Sequence, residues 1–397
     1  MTVRNFNPSI SHSMQRVVWV NKGQWLQPGP IVYMGLLNAL AFAENNVHTD
    51  FFVGAGPGSD TESDIKQFYG LASHPKLTVQ RIAETGRGRR KVYSAAMAKI
   101  SSYCEQGLEV LALTRELGCL TLLVKLKKKY PKLKVLHEAH DYYLSTRHLP
   151  EKNFSISSLR RQWTEKNLLP KIDGLICLTE HQRALYQQWL PQLPTVALSL
   201  GCVAFARQPQ LEQRRLRRRI AYIGLLHGYK GVELIFSLAK QLKPQAIELY
   251  SYGGSADDAA VLQQRADQEG LAGALFFKAF IDPKSLHHIL DNEISLGLVP
   301  LQDTFYNRYL TCPVKALDFM AHGLPVLASE LPSIREVLRE TGFYCDSQNA
   351  ADFAAGAIAL LADAQAYQAA TAASYARSTA LQWRVRGQKI LDFAAYI

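Results

Sequence analysis

The feature that most constrains the fold is a regular alternation of short apolar strands with helical segments. The first half of the chain is predicted to hold strands at 16–21, 48–54, 77–82, 109–114, 134–139 and 174–178. The alternation then stops and restarts with strands at 220–223, 247–251, 274–277 and 295–299. Nearly all-apolar strands separated by helices indicate parallel sheets that are covered on both faces. The pattern therefore predicts an α/β chain with two Rossmann-like domains in tandem and a ligand cleft between them.

The break in the pattern gives the domain boundaries. Residues 206–219 are polar and strongly basic, without a strand or a buried pattern, and are predicted to form a linker. The first domain is then expected at 1–205 and the second at 220–375. A last amphipathic segment at 376–397 contains Trp383. A chain of 397 residues is long for one core, which agrees with two domains.

The net charge of +11 is distributed unevenly and narrows the choice of partner. Residues 1–205 hold 25 Lys and Arg against 15 Asp and Glu, whereas residues 206–397 hold 20 against 19. Such an asymmetry indicates that the first domain faces nucleic acid, an anionic membrane surface or an acidic substrate. The six cysteines are scattered without a C-x-x-C pair, so we expect reduced thiols and no metal site. The predicted location is the cytoplasm, with peripheral attachment to the inner face of the membrane as an extension.

The segment 311–329 is predicted to form a loop, a short helix and a buried strand. Pro313 is suited to the first helical turn, and Gly323 is suited to the end of the helix. The N-terminus of a helix offers free N–H groups to a phosphate, and Lys315 in the first turn would reinforce them. Asp318 follows one turn later. An ordinary βα unit with a solvated Lys and Asp explains this segment equally well.

A glycine-rich loop, 224–231, joins a predicted strand to a predicted helix and contains Lys230. By geometry such a loop can hold a phosphate, although it matches neither a Walker A motif nor a G-x-G-x-x-G fingerprint. A plain strand-to-helix turn with a surface lysine is the alternative.

The sequence His137-Glu-Ala-His-Asp141 ends a predicted strand, where α/β proteins place groups that contact ligands. Alternation along a strand would put Glu138 and His140 on the same face. A metal site is a poor interpretation because no third ligand is near in the sequence. His140 is predicted to contact a substrate in the cleft, and a hydrogen-bonded structural histidine remains the alternative, more so for His137.

Two basic runs, 87–91 and 125–129, contain few aromatic residues, so a base-stacking nucleic-acid groove is weakly supported. An anionic membrane face is the better functional interpretation, and a solvated surface is the commonest meaning of such runs. His287 and His288 are predicted to lie on a surface helix without a role.

Taken together, these segments resemble the retaining, nucleotide-sugar-dependent glycosyltransferases of the GT-B fold, family four (glycosyl transferases group 1). The resemblance spans nearly the whole chain and depends on the order and spacing of several motifs. They are the early Gly-Pro loop around Gly29, Glu138-Ala-His-Asp141, Leu200-Gly-Cys-Val203, Gly224 to Lys230-Gly231, Pro313 to Val326, and Trp383 in a final helix that crosses back to the first domain.

The resemblance implies a role for each matched position. His140, Lys230 and Asp318 would be the catalytic residues, contacting the sugar, the phosphates and the ribose respectively. The acceptor side would include Gly29, Arg115 and Asp141. The nucleotide-sugar donor would be bound by Gly224, His227, Gly253, Arg308, Thr311, Cys312, Val314, Lys315 and Leu317.

Two positions depart from the family pattern. The family pattern has two acidic residues with seven residues between them; the second is Asp318 here, but the first is Leu310, and the arginine expected in the glycine loop is Leu225. Thr311 or Asn307 would have to replace the missing acid, and Lys315, Arg308 or His227 would have to replace the missing arginine.

The resemblance thus implies transfer of a sugar, hexosyltransferase-like, from a nucleoside diphosphate sugar to a hydroxyl with retention. The acceptor would be a cell-surface glycan or a lipid-linked glycoconjugate. No cofactor beyond the donor, no metal and no nucleic acid are expected. The departures leave a second hypothesis open: a GT-B-like protein that binds a nucleotide or a partner without catalysis.

Overall fold

The structure is a computed structural model that divides into two compact units. It describes residues 14–83, 90–145, 155–205, 211–224 and 231–397. The first unit comprises Met1–Gln67, Leu71–Ser199 and Trp383–Ile397, as far as they are described. The second comprises Phe68–Gly70 and Leu200–Gln382.

In its described part, the first unit is built on a parallel sheet of seven strands with helices on both faces. The strands are β1 (Arg16–Gln24), β2 (His48–Gly54), β3 (Leu77–Ile82), β4 (Val110–Thr114), β5 (Lys134–Ala139), β6 (Gly174–Cys177) and β7 (Thr195–Ala197). Their order is β3-β2-β1-β4-β5-β6-β7. The helices are α1 (Pro30–Glu44), α2 (Thr61–Gln67), α3 (Arg90–Glu105), α4 (Leu117–Lys129), α5 (Ile156–Leu168) and α6 (Glu180–Trp189). Every residue of β4 is buried, which explains its continuous apolar run.

The C-terminal helix α15 (Trp383–Tyr396) belongs to the first unit and packs along α1. Gly387 permits the close approach, since a Cβ there would lie 2.9 Å from the carbonyl oxygen of Ala41. The Asn45 side chain donates to the Arg384 carbonyl at 2.8 Å and fixes one end of the contact. The prediction of a final helix that packs back on the N-terminal domain is confirmed.

The second unit repeats the architecture around a parallel sheet of six strands among its described residues. The strands are β8 (Arg219–Ile223), β9 (Glu248–Tyr252), β10 (Leu275–Lys278), β11 (Leu296–Val299), β12 (Val326–Ser329) and β13 (Gly342–Cys345), in the order β10-β9-β8-β11-β12-β13. The helices are α7 (Leu211–Leu216), α8 (Val232–Leu242), α9 (Ala256–Gln268), α10 (Pro283–Asn292), α11 (Val314–Ala321), α12 (Pro332–Leu338), α13 (Ala350–Ala362) and α14 (Ala364–Ala380). Both predicted Rossmann-like domains are therefore present.

The prediction of a linker without buried residues at 206–219 is wrong for its described part. Residues 211–216 form α7 within the second unit, and Arg219 already belongs to β8. The guanidinium of Arg214 is buried and donates to the carbonyls of His322 and Gly323 at 2.8 and 3.2 Å. These carbonyls follow the end of α11, so Arg214 satisfies acceptors that helix geometry leaves unpaired.

The predicted surface position of His287 is also wrong. Its ring is buried beside Phe205, and its Nδ1 lies 2.8 Å from Nε2 of His322. Nδ1 of His322 in turn lies 2.6 Å from a carboxylate oxygen of Asp291. Its neighbour His288 faces outward and lies within hydrogen-bonding distance of Asn292, one turn later. His287 is thus part of the packing that holds α10 against the end of α11.

Candidate functional site

The candidate donor site lies in the second unit, where the order of the strands reverses. The first strand of this unit, β8, has β9 on one side and β11 on the other. Doubly wound sheets bind ligands outside the carboxyl ends of the strands at such a reversal. Gly224 directly follows β8, and the segment containing α11 follows β11, so the topology brings both to this edge.

Gly224 and Gly253, which follow β8 and β9, lie against each other at this edge. Both have φ near +145°, a conformation that side-chain-bearing residues rarely adopt. A Cβ on Gly253 would lie 2.1 Å from the carbonyl oxygen of Gly224. The two glycines therefore allow two strand ends to meet with bare backbone. We call this pair the glycine edge, and a ligand can approach it closely.

Lys315, in the first turn of α11, reaches the same place. Its Nζ lies 4.1 Å from the centre of the Tyr222 ring, in a cation–π geometry. A Cβ on Gly224 would lie 3.3 Å from this Nζ and 3.1 Å from the Tyr222 hydroxyl. The structure therefore brings together a positive charge, a helix N-terminus and two glycine turns, as a phosphate-binding site requires.

Asp318 lies one turn further along α11, half-buried. Burial raises the pKa of its carboxyl from 3.8 to about 7. Among the described residues no side chain or backbone N–H hydrogen-bonds to the carboxyl, and no cation pairs with it. Its neighbour Cys202 is itself buried, and burial, with Asp318 and Cys312 nearby, raises the pKa of that thiol. Asp318 is thus a desolvated acceptor whose hydrogen-bonding capacity is unused.

Four residues around the start of α11 were predicted to bind the donor, and the structure places them differently. Cys312 is buried, and its Sγ accepts a hydrogen bond from the backbone of Leu200 at 3.4 Å. Leu317 is a core side chain, so only its backbone could contact a ligand. Val314 and Thr311 are half-buried at the N-terminal edge, where the first N–H groups of the helix have no intrahelical acceptor.

The positions that were expected to compensate for the family departures differ in availability. Leu310 is fully buried and ends a π-helical turn, Tyr306–Leu310. Asn307 is buried too, and its amide donates to the carbonyl of Gln302 at 2.9 Å. Arg308 forms a bidentate ion pair with Asp303, one contact of which measures 2.7 Å. Of these groups, Lys315 is the cation at the glycine edge, and Thr311 is the more exposed replacement for the missing acid.

Three positions cannot be placed. Lys230, His227 and Leu225 lie outside the described residues. The site as described therefore includes Gly224 but no later residue of the glycine loop.

In the first unit His140 is held by a buried charge network. Its Nε2 lies 2.5 Å from Oε1 of Glu138, as expected for two side chains on one face of the strand end. The other oxygen of Glu138 accepts from Arg386 on α15 at 2.7 Å. Arg386 also donates to Asn38 Oδ1 at 2.5 Å and to the Ser199 carbonyl at 2.8 Å. Both carboxylate oxygens of Glu138 and all three guanidinium nitrogens of Arg386 are therefore engaged in hydrogen bonds.

The network fixes the protonation states around His140. Burial opposes the charge on Glu138, but Arg386 and His140 outweigh it and hold the pKa of Glu138 well below its usual range. Burial and the nearby Arg115 lower the pKa of His140, against the opposing effect of Glu138. A neutral imidazole must donate to the carboxylate through Nε2, which leaves Nδ1 as an acceptor. His140 is thereby prepared to accept a hydrogen bond from a hydroxyl.

The remaining candidates of the first unit are two residues near His140 and two residues at element ends. His137 is buried, and burial lowers its pKa to about 3; its Nδ1 has no hydrogen-bonding partner among the residues that the structure describes. The carboxylate of Asp141 accepts from the Tyr143 hydroxyl at 2.5 Å. Arg115 is half-buried at the end of β4, and Gly29, with φ +102°, precedes α1. Arg386 was not predicted from the sequence; the available signal was a single arginine on the apolar face of the last helix.

Comparison with known proteins agrees with this geometry. Residues 217–363 match the family model described as Glycosyl transferases group 1, which includes Gly224, Gly253, Lys315 and Asp318. No curated protein sequence matches the chain.

Solved structures match over both units at low identity. Sucrose-phosphate synthase from Thermosynechococcus elongatus is 19% identical with a TM-score of 0.69, covering 95% of this chain and 97% of that one. Anabaena HepE, in complex with UDP and glucose, is 16% identical with a TM-score of 0.66, covering 96% and 100%. A variant of TarM from S. aureus, in complex with UDP and other ligands, is 11% identical with a TM-score of 0.70, covering 96% and 100%.

These likenesses define the fold. The chain has the GT-B glycosyltransferase fold, with two Rossmann-like parallel-sheet domains and a C-terminal helix packed on the first. More particularly, residues 217–363 of its second unit are similar to the family model described as Glycosyl transferases group 1.

Proposed function

We propose that this protein is a glycosyltransferase that moves a sugar from a nucleoside diphosphate sugar to a hydroxyl of a glycan or lipid-linked acceptor. The observation that carries the proposal is the convergence of Gly224, Gly253 and the Lys315 ammonium, with the carboxyl of Asp318, unpartnered among the described residues, one helical turn away. It lies inside the segment that matches the group 1 family. The UDP or UDP-glucose in the structures of Anabaena HepE indicates a uridine diphosphate donor as the first to test.

Each part of the donor would meet a group suited to it. The diphosphate would lie on the bare backbone of the glycine edge, against Lys315 and the first N–H groups of α11. The ribose hydroxyls would donate to Asp318, which supplies two acceptor oxygens and has no other partner in the described chain. Lys230 is proposed as a second phosphate ligand, on the resemblance alone. His140 would accept from a sugar hydroxyl, and Gly29, Arg115 and Asp141 would contribute to the acceptor side.

The chemistry we propose is hexosyl transfer with retention. Its main requirement is positive charge and N–H donors on the departing diphosphate, together with an acceptor hydroxyl held beside the reacting carbon. Lys315 and the α11 N-terminus supply the first requirement without a protein nucleophile. The support for retention is the motif pattern from Pro313 to Val326, which resembles the retaining family.

A second candidate is a GT-B-like protein that binds a nucleotide without turnover. The observation that favours it is Leu310, which occupies the position of the first acid and is fully buried in the core. A buried leucine cannot hydrogen-bond to the transferred sugar, so donor binding through the diphosphate and ribose would persist without a complete sugar site.

Two measurements separate the candidates. Thermal unfolding with UDP and GDP reports binding, because a ligand that binds the native state raises stability. Release of UDP from a panel of UDP-sugars reports catalysis, and a product analysed by NMR reports the anomeric configuration. Stabilisation by UDP with turnover supports the enzyme, and stabilisation without turnover by any donor supports the binding protein. Absence of UDP and GDP binding, with Asp318→Ala indistinguishable from wild type, contradicts both.

A further inference from the structure

The excess positive charge of the first unit is concentrated on three consecutive helices. Together α3, α4 and α5 contain ten Lys and Arg residues and two glutamates. Glu105 is bonded to Tyr130 and Lys129, and Glu165 is buried against the Tyr186 hydroxyl and the Tyr143 backbone. Basic side chains therefore outnumber acidic ones ten to two on these three helices, and both acidic side chains have hydrogen-bonding partners.

The three helices form one continuous layer. The chain crosses from β3 to β4 through α3 and then steps outward from β4 through α4 and α5, and neighbouring helices in this series pack on each other. Right-handed crossovers place them on the same face of the sheet, and they place α1, with α15 packed on it, on the opposite face.

The outward side of α5 adds a strip of apolar side chains to this basic layer. Ile156, Leu159 and Trp163 are 88%, 43% and 59% exposed. Their spacing of three and four residues puts them on one side of the helix. Single exposed apolar residues are common, but a strip on one helix face marks an interaction surface. Arg160 and Lys166 are exposed beside the strip, and the helix's single acid, Glu165, points inward.

We propose that this surface, the α5 strip with the exposed lysines of α4, binds the anionic face of a lipid bilayer. Trp, Leu and Ile flanked by Arg and Lys on one helix face are the composition of a helix that lies in the membrane interface. Lys125 and Lys128 of α4 are exposed and would contact anionic headgroups. No described helix is long and apolar enough to cross a membrane, so contact of this kind would be peripheral.

Charge decides between this occupant and a second copy of the chain. A symmetric dimer through the strip would bring the same basic layer of both copies together, with no described outward-facing acid on α4 or α5 to neutralise it. An anionic bilayer supplies the opposite charge and an apolar layer beneath it.

The test is co-sedimentation of the full chain with phosphatidylcholine vesicles that contain or lack phosphatidylglycerol. We expect binding only to the anionic vesicles, weakened by salt. Trp163→Ser should lower the partition about tenfold, because one large apolar side chain no longer leaves water. Lys125→Gln with Lys128→Gln should lower it about fivefold for each lysine. Matched controls on the opposite face of the sheet, Val385→Ser and Lys389→Gln, should bind as wild type does.

Unchanged vesicle binding in the α4 and α5 variants, equal losses in the controls, or no preference for anionic vesicles would overturn the proposal. Light scattering measures the oligomeric state as a further test. A wild-type dimer that dissociates in Trp163→Ser would assign the strip to a second copy of the chain instead. The proposal does not depend on the proposed activity, because vesicle binding needs no donor. Stabilisation by UDP, measured on the same variants, should be retained and shows separately that they are folded.

Discussion

Replacing Asp318 by asparagine should make the ligand-free protein more stable while weakening the proposed donor binding. The carboxyl of Asp318 is desolvated and has no partner in the described chain, and burial raises its pKa from 3.8 to about 7. An amide of nearly the same shape does not ionise. Asp318→Asn therefore removes the cost of placing a charge at this position but keeps the packing of α11.

The pKa shift gives the size of the stabilisation expected for Asp318→Asn. Each pKa unit corresponds to about 1.4 kcal/mol, so the shift sets an upper bound of about 4 kcal/mol on the cost of ionisation. The side chain is only half-buried, and contact with water reduces the expected gain to roughly 2 kcal/mol. Its sign follows from proton binding. Between pH 3.8 and about 7 the unfolded chain releases a proton that the folded protein keeps, so stability falls as the pH rises.

Urea unfolding of wild type and Asp318→Asn across this pH range measures the effect. The variant should be more stable by roughly 2 kcal/mol at about pH 8, and the difference should vanish as the pH falls to about 4. Asp318→Ala is the control that also loses the packing of the side chain. Equal stability of wild type and Asp318→Asn at the higher pH would refute the claim that an uncompensated charge is present.

The same carboxyl should make donor affinity depend on pH. The proposed ribose contact requires the ionised form, so donor binding should release a proton and affinity should rise with pH until it levels off above about 7. The limiting slope is about tenfold per pH unit. Calorimetry with UDP-glucose measures this, and Asp318→Asn should bind weakly without the slope. An identical slope in the variant would show that another group titrates.

Three further predictions test other parts of the structure. Arg386→Met should destabilise the protein by about 3–5 kcal/mol in urea at neutral pH, since it leaves the ionised Glu138 buried without its partner; a loss below about 1 kcal/mol would contradict the network. Gly253→Ala should lose stabilisation by UDP in thermal unfolding, because its Cβ would lie 2.1 Å from the Gly224 oxygen; full UDP binding would contradict the glycine edge. Lys315→Met should reduce affinity for UDP about tenfold or more but affect uridine little, and equal losses for both ligands would argue against a phosphate contact.

The sequence predicted the sheets well because their strands are buried on both faces. A strand such as β4, buried at every residue, must be apolar throughout, and this pattern is readable without any tertiary information. Short strands at the edges were missed. Residues 195–197 and 342–345 form β7 and β13, which are half-buried at several positions and so lack a continuous apolar run.

The contacts that define the site were less accessible from the sequence. Arg386 meets Glu138 across a separation of 248 residues, and local periodicity carries no information about such a pair. Arg214 was assigned to a solvated linker because five arginines surround a leucine there, yet its guanidinium reaches the carbonyls that follow α11. Composition predicts the average exposure of a basic run, and only the fold decides which member is buried.

Glu138 and Asp318 show what distinguishes a structural acid from a candidate binding acid. Both are acidic residues that motif matching singled out, and burial acts on both in the same direction, against the charge. Glu138 has Arg386 and His140 as partners, and its pKa falls; Asp318 has no partner in the described chain, and its pKa rises. A fold keeps an uncompensated carboxyl only against its own stability, and hydroxyl donors of a ligand would supply the missing partners. The desolvated carboxyl of Asp318, which has no partner among the described residues, is therefore the physical ground on which we propose the ribose contact there, independently of the resemblance.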